Sequence, residues 1–204
     1  EPEGMDAATA ALFPAGFEES ELGSIPAGWS AGALANLSDL NARTWSARRH
    51  PERIEYIDLG NVKSNVLGET VQYEFNEAPS RARRELRDGD TIVGTVRPGN
   101  CSFAFISRAR PGLTASTGFA VLSPRLPELA EFIYLAATRR GNIELLASLA
   151  DGGAYPAVRP ELVAATPCVV APGAILSAFS RIAAPLFEAR AAAERRALPQ
   201  RPVP

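Results

Sequence analysis

ASTGFAVLSP, residues 115–124, decides how the chain reads. Ser116-Thr117-Gly118 is a polar turn, and it feeds a short apolar run, Phe119 to Leu122, that stops at Ser123-Pro124. That pattern is a hydroxyl-rich loop hung on a buried strand. RPGN, residues 97–100, lies upstream as another turn, and GGAYPAV, residues 152–158, lies downstream.

Working outward, residues 88–96 (DGDTIVGTV) give a tight turn and a buried strand, and residues 101–107 answer it as a hairpin partner. Residues 54–62 alternate and then break at Gly60, a strand and a turn; residues 69–75 alternate too and can pair with it. A first strand region is expected near 32–39, and a short strand at 166–170. SRARREL, residues 80–86, reads as one helical turn. Behind Pro127 the period becomes helical through Leu129, Phe132, Ile133, Leu135 and Ala136, and a second helix is expected over 142–150. Residues 173–198 form a long helix with an apolar stripe, and Pro185 inside it should kink or restart it. Asp6 can cap a short helix that Pro14 ends. Trp29 should pack on the domain body as a lid, and Tyr155 should plug the core beneath its glycine-rich loop. The fold class is therefore α+β, with a twisted, mostly antiparallel sheet and a long C-terminal helix. The expected organisation is an opening segment at 1–29, a domain at 30–172, the helix at 173–198 and a proline-rich tail at 199–204.

The 204 residues carry a net charge of −2, which looks wrong for a nucleic-acid binder until the distribution is read. Residues 1–40 hold seven acidic and no basic side chains, whereas residues 41–110 hold twelve basic and nine acidic ones. Lys63 is the only lysine beside 20 arginines, whose planar forks suit phosphates and guanine edges. A GC-rich genome would produce the same arginine bias. No apolar run reaches the length of a membrane span, no secretory signal is present, and Cys101 and Cys168 read as two free thiols in a cytoplasmic protein.

Common catalytic sets do not assemble. His50 is the only histidine and lies beside Arg48 and Arg49 with no nucleophile elbow near it. Neither cysteine has metal-ligand spacing, and no phosphate-binding glycine motif or methyltransferase motif appears. Glu55, Asp58 and Lys63 come nearest to a nuclease set, but residues three apart on a strand point to opposite faces. Four polar stretches could bind instead: 41–53, 60–68, 79–87, and 97–100 with 108–117. Their candidate DNA-contacting residues are Arg48, Arg49, Lys63, Arg81, Arg83, Arg84, Arg97, Asn100, Arg110, Thr114, Ser116 and Thr117. On a strand Arg81 and Arg83 share a face; on a helix Arg81 and Arg84 do. Salt bridges to Glu85, Asp88 and Asp90 are the alternative. In the last helix Ile175, Phe179, Ile182 and Leu186 are candidates for a subunit interface, exposed in a lone domain and open to self-association.

Six segments, in this order and spacing, resemble the specificity subunits of type I restriction–modification systems: residues 11–29, YIDLGNV at 56–62, SRARRELRDGDTIVGTVRPG at 80–99, ASTGFAVLSP at 115–124, GGAYPAV at 152–158 and residues 179–198. The resemblance implies a target recognition domain that reads one half of a bipartite site in double-stranded DNA and is no enzyme. It implies a spacer helix that pairs in an antiparallel coiled coil, methyltransferase subunits as partners, and a restriction/motor subunit joining that assembly. No cofactor is expected on this chain; S-adenosylmethionine would sit on the methyltransferase. The last helix ends early for the family, at Pro199. Two rival readings stay open: a protein-interaction module working through the C-terminal helix, and an unrecognised nuclease.

Overall fold

Phe119, Ala120, Val121 and Leu122 are all buried, because the strand they belong to has protein on both sides. The computed structural model describes residues 5–151 and 153–197; Gly152, Leu198 and the expected tail lie outside the described residues. The chain runs α1 (Ala7–Ala10), β1 (Phe17–Ser20), β2 (Gly23–Pro26), β3 (Ser30–Ala33), β4 (Ser38–Leu40), β5 (Arg53–Ile57), β6 (Val62–Lys63), β7 (Val66–Leu67) and β8 (Val71–Glu74). It continues through β9 (Ala82–Glu85), β10 (Thr91–Gly94), β11 (Phe103–Phe105), β12 (Leu113–Ser116), β13 (Phe119–Pro124), α2 (Ala130–Thr138), α3 (Arg140–Leu149), α4 (Pro160–Ala164), β14 (Pro167–Val170) and α5 (Gly173–Ala197).

Two four-stranded sheets carry the body. The first has the order β11-β10-β13-β4 and the second β8-β5-β12-β9. All described pairings are antiparallel except β5 with β12. Val93, Ala120 and Leu122 face one core, shared with Ile133, Ile143, Leu146, Val163 and Ile175 of the helices. Their neighbours Ile92, Phe119 and Val121 face the other way, onto Ile57, Leu113 and Ala115 of the second sheet. Helices, first sheet and second sheet are thus three stacked layers, which is why residues 119–122 are continuously apolar. The outer face of the second sheet has its own small core of Ile54, Tyr56, Phe75 and Ala82, covered by Trp45 and Tyr73.

The loop 41–51 is fastened by Arg43, which donates to both oxygens of Asp90 at 2.8 and 2.7 Å and to Ser123 Oγ at 3.0 Å. Burial pushes the Asp90 carboxyl up from its ordinary value despite the hydrogen bonds from Arg43. Asp6 caps α1 through the Thr9 amide, and Trp29 packs half-buried against the helical core with its ring 5.9 Å from that of Phe13. No helix among the described residues is long and apolar enough to cross a membrane.

Several sequence expectations need correction. SRARREL contains a strand, β9, because pairing with β12 and the burial of Ala82 outweigh local helix preference. Ser116 belongs to β12 rather than to a turn. The region 32–39 is not one strand: a 3₁₀ turn at Leu34–Asn36 sends β3 to pair with β14 and β4 to pair with β13. The opening segment holds the β1–β2 hairpin, and α4 begins at a helix-starting Pro160, the last residue of the stretch 151–160 that reads as a loop. α5 runs unbroken through Pro185. Arg181, whose carbonyl loses its helical donor there, is exposed, so water can satisfy it.

Because Phe119 is fully buried between two layers, Phe119→Ala should lower the unfolding free energy by about 3–5 kcal/mol. Urea unfolding followed by circular dichroism checks this.

Candidate nucleic-acid interface

The parallel strands β5 and β12 finish side by side, β9 starts there, β10 ends there and β13 begins there. One end of the two sheets therefore gathers loops from distant parts of the sequence. Backbone hydrogen bonds stitch them together: Thr117 N–H to Arg81 O at 2.8 Å, Thr95 N–H to Gly118 O at 2.8 Å, Val158 N–H to Thr95 O at 2.9 Å, and Arg97 N–H to Pro156 O at 2.8 Å. A Cβ on Gly118 would lie 2.4 Å from Leu59 Cδ1, so a larger residue there must push the Leu59 side chain aside. Ser64 and Asn65, with φ of 46° and 66°, turn the β6–β7 hairpin, and Arg97 and Cys101, with φ of 47° and 58°, flank the 3₁₀ turn Pro98–Asn100. Left-handed non-glycine residues persist only where their surroundings enforce them. Here the Ser64 and Asn65 amides donate to the Cys101 and Phe103 carbonyls, both at 2.8 Å.

Five candidates converge on this end. Lys63, Asn100 and Thr117 are exposed there. Arg97 donates to Ala154 O at 2.9 Å and lies 5.4 Å over the Tyr155 ring. Arg81 donates to Asp58 at 2.6 Å and to the Tyr56 hydroxyl at 3.0 Å, which raises its pKa further. Burial opposes the charge on Asp58, but hydrogen bonds from Arg81 and the Leu59 amide win and hold its carboxyl below the ordinary value. Between Lys63, Arg97, Asn100, Cys101, Ser102 and Tyr155 lies an open cleft of about 660 Å³. It offers cations, an amide, a hydroxyl and an aromatic edge, the groups that hold phosphates and read base edges.

Other candidates go elsewhere. Arg49 pairs with Glu85 at 2.9 Å and lies 4.9 Å over Trp45, with Arg48 exposed nearby in sequence. Arg83 lies 4.8 Å over Phe75 and donates to Ala82 O, and Arg84 donates to Thr44 Oγ1 at 3.1 Å; a bulge at this point breaks the alternation that would align Arg81 with Arg83. Burial lowers the Arg84 pKa. These arginines serve the outer edge of β9. Arg110 pairs with Glu55 at the opposite end of β12. Thr114 and Ser116 are wholly buried and cannot reach a ligand. Thr114 Oγ1 accepts from Trp45 Nε1 at 2.8 Å and donates to Gly112 O, and Ser116 Oγ accepts from the Gly118 amide at 3.2 Å.

The stripe on α5 divides as well. Ile175 is buried in the core of its own domain and Phe179 meets Phe132 edge-on, whereas Ile182 and Leu186 are 63% and 66% exposed. Tyr155, expected in the core, is 64% exposed on the cleft. An aromatic residue between a glycine pair and a proline, beside the arginine-bearing turn, is the signal that could have placed it there.

No protein-family model matches the chain. The type I restriction enzyme HindI specificity subunit of Haemophilus influenzae is 23% identical over 133 residues, covering 64% of this chain and 29% of that protein. The crystal structure of the HsdS subunit from Thermoanaerobacter tengcongensis superposes with a TM-score of 0.62 and 26% identity over 84% of this chain and 45% of that one. The chain has the fold of one half of a type I specificity subunit. A second match comes from a structure described as the structural basis underlying complex assembly and conformational transition of the type I R-M system, with a TM-score of 0.61 and 26% identity, again over 84% and 45%. The chain spans less than half the length of these type I relatives. The antiparallel-rich α+β architecture and the long C-terminal helix agree with the resemblance read from the six segments.

Asp58→Asn should remove the Arg81 ion pair and cost about 0.5–1 kcal/mol at pH 7, a small figure because both groups touch solvent. A lowered carboxyl pKa contributes stability that is present above 3.8 and lost as pH falls through the folded-state value. The difference between wild type and variant should therefore shrink as pH falls below 3.8, as urea unfolding at a series of pH values can measure.

Proposed function

We propose that this chain reads one half of a bipartite site in double-stranded DNA as a recognition unit of a type I restriction–modification specificity subunit, and catalyses nothing itself. The observation that carries the reading is the shared fold over 84% of the chain, taken with the gathering of Lys63, Arg81, Arg97, Asn100 and Thr117 at one end of that fold. Lys63 and Arg97 would neutralise phosphates and set register, while Asn100, Thr117 and the Tyr155 edge would face the bases. Each good bidentate base contact is worth about 1–3 kcal/mol of discrimination. In this reading the chain works with methyltransferase subunits, which carry S-adenosylmethionine, and with a restriction/motor subunit; the DNA-contacting chain needs no cofactor of its own.

The exposed side of α5 supports the spacer role. Ile182, Leu186, Ala189 and Ala193 recur at spacings of three and four, the seam of a coiled coil. The helix is roughly 37 Å long at 1.5 Å per residue, enough to hold a second helix along its length. The nuclease reading is disfavoured by charge: Glu55 is taken by Arg110 and Thr70, and Asp58 by Arg81.

Exchanging residues 30–160 in the intact system for those of another specificity subunit should change one methylated half-site and leave the other alone, as methylome sequencing would show. An unchanged pattern contradicts the proposal. Ile182→Glu with Leu186→Glu should leave the thermal midpoint nearly unchanged yet abolish assembly with the methyltransferase, read by size-exclusion chromatography of the mixed components.

A further inference from the structure

Arg190 lies where the long helix meets the hairpin that carries Lys63. Its Nη2 donates to the Asn65 carbonyl at 3.2 Å, across 125 residues of sequence, while its Nε is held by Glu194 at 2.8 Å. Burial raises the pKa of the Tyr134 hydroxyl on α2, and the nearby Arg190 guanidinium works against that rise. One turn back on the same helix face, Phe187 stands edge-on to Phe105 at 4.9 Å and to Tyr134 at 5.4 Å. α5 is thereby seated on β11 by a ring cluster, and Arg190 reaches past the cluster to the hairpin turn.

Asn65 is the receiving point. It is buried although it sits at a hairpin tip, its φ is 66°, and its backbone N–H, its carbonyl and its side-chain oxygen are all engaged. Its amide donates to Phe103 O at 2.8 Å, its Oδ1 accepts from the Phe105 amide at 2.7 Å, and its carbonyl accepts from Arg190. β6 and β7 pair over only two positions, Val62 with Leu67 and Lys63 with Val66. So short a ribbon has little stability of its own and takes its position from what holds its turn. Lys63 directly precedes that turn.

We infer that Arg190 is a positioning residue for DNA reading: it ties the α5 helix to the Ser64-Asn65 turn and so fixes Lys63 at the cleft. The inference rests on the proposed DNA function of that cleft. It also gives α5 a second task, because the helix that exposes Ile182 and Leu186 on one side holds the recognition hairpin from the other. A partner helix seated on the exposed seam and the hairpin at the cleft are then joined through one rigid rod.

Hydrogen exchange measured by mass spectrometry on the 204-residue chain tests the tie without DNA. Arg190→Gln should make amides in residues 63–67 exchange about tenfold faster, with β12 and the thermal midpoint nearly unchanged, and Arg190→Lys should restore part of the protection. Unchanged exchange at the hairpin overturns the positioning role, whatever the chain does with DNA. In the intact system, Arg190→Gln and Lys63→Ala should relax methylation at the same positions of the half-site. Faster exchange in Arg190→Gln with no effect of Lys63→Ala on methylation would instead overturn the hairpin's part in DNA reading.

Discussion

A sheet covered on both faces has nowhere to display function except at the ends of its strands. β10 and β13 lie between the helices and the second sheet, and Thr91, Ile92, Val93 and Phe119 through Leu122 are all shut away from solvent. That burial supplies most of the stabilising apolar contact, and it also fixes where chemistry can occur. The polar groups that reach solvent near this centre sit on the turns that link layers. Because β5 and β12 run parallel and stop together, turns from residues 58–65, 95–102, 117–118 and 153–157 meet at one end.

The charge distribution carries less of the function than its arithmetic suggests. Arginines at 43, 49, 53, 81, 110, 125 and 140 are each paired with an aspartate or glutamate of the same chain. Most of these pairs touch solvent and are worth little individually. Their effect on binding is larger, because a paired arginine brings almost no net charge to a phosphate. What distinguishes the cleft is the company of Lys63 and Arg97 with neutral hydrogen-bonding side chains and an exposed ring, rather than arginine density.

The doubly buried strand, the hairpin beside it, the helices behind Pro127 and the α+β class were all legible, since continuous apolar runs and changes of period report burial directly. Side-chain direction was not. Thr114 and Ser116 look like loop hydroxyls, and only the pairing of β12 with both β5 and β9 turns them inward onto Trp45 and the Gly118 amide. SRARREL offers helix formers locally, and a non-local partner makes it a strand. Ile175, Leu176, Phe179, Ile182, Leu186 and Phe187 read as one stripe, yet a helix can carry two: one line runs through Ile175, Ala183 and Phe187 into the domain, another through Ile182 and Leu186 into solvent. Lys63, Arg97 and Asn100 were recognisable by residue type, but their meeting, and the contact of Arg190 with Asn65, depend on tertiary contacts that no local pattern encodes.

A structure of the assembled specificity subunit on its DNA target tests the central claim most directly. The account requires the duplex against the end that bears Lys63, Arg97, Asn100, Thr117 and Tyr155, with at least one base edge within hydrogen-bonding distance of Asn100 or Thr117. A duplex lying on the outer edge of β9, against Arg48, Arg49 and Arg84, or at the Arg110 end, would contradict it.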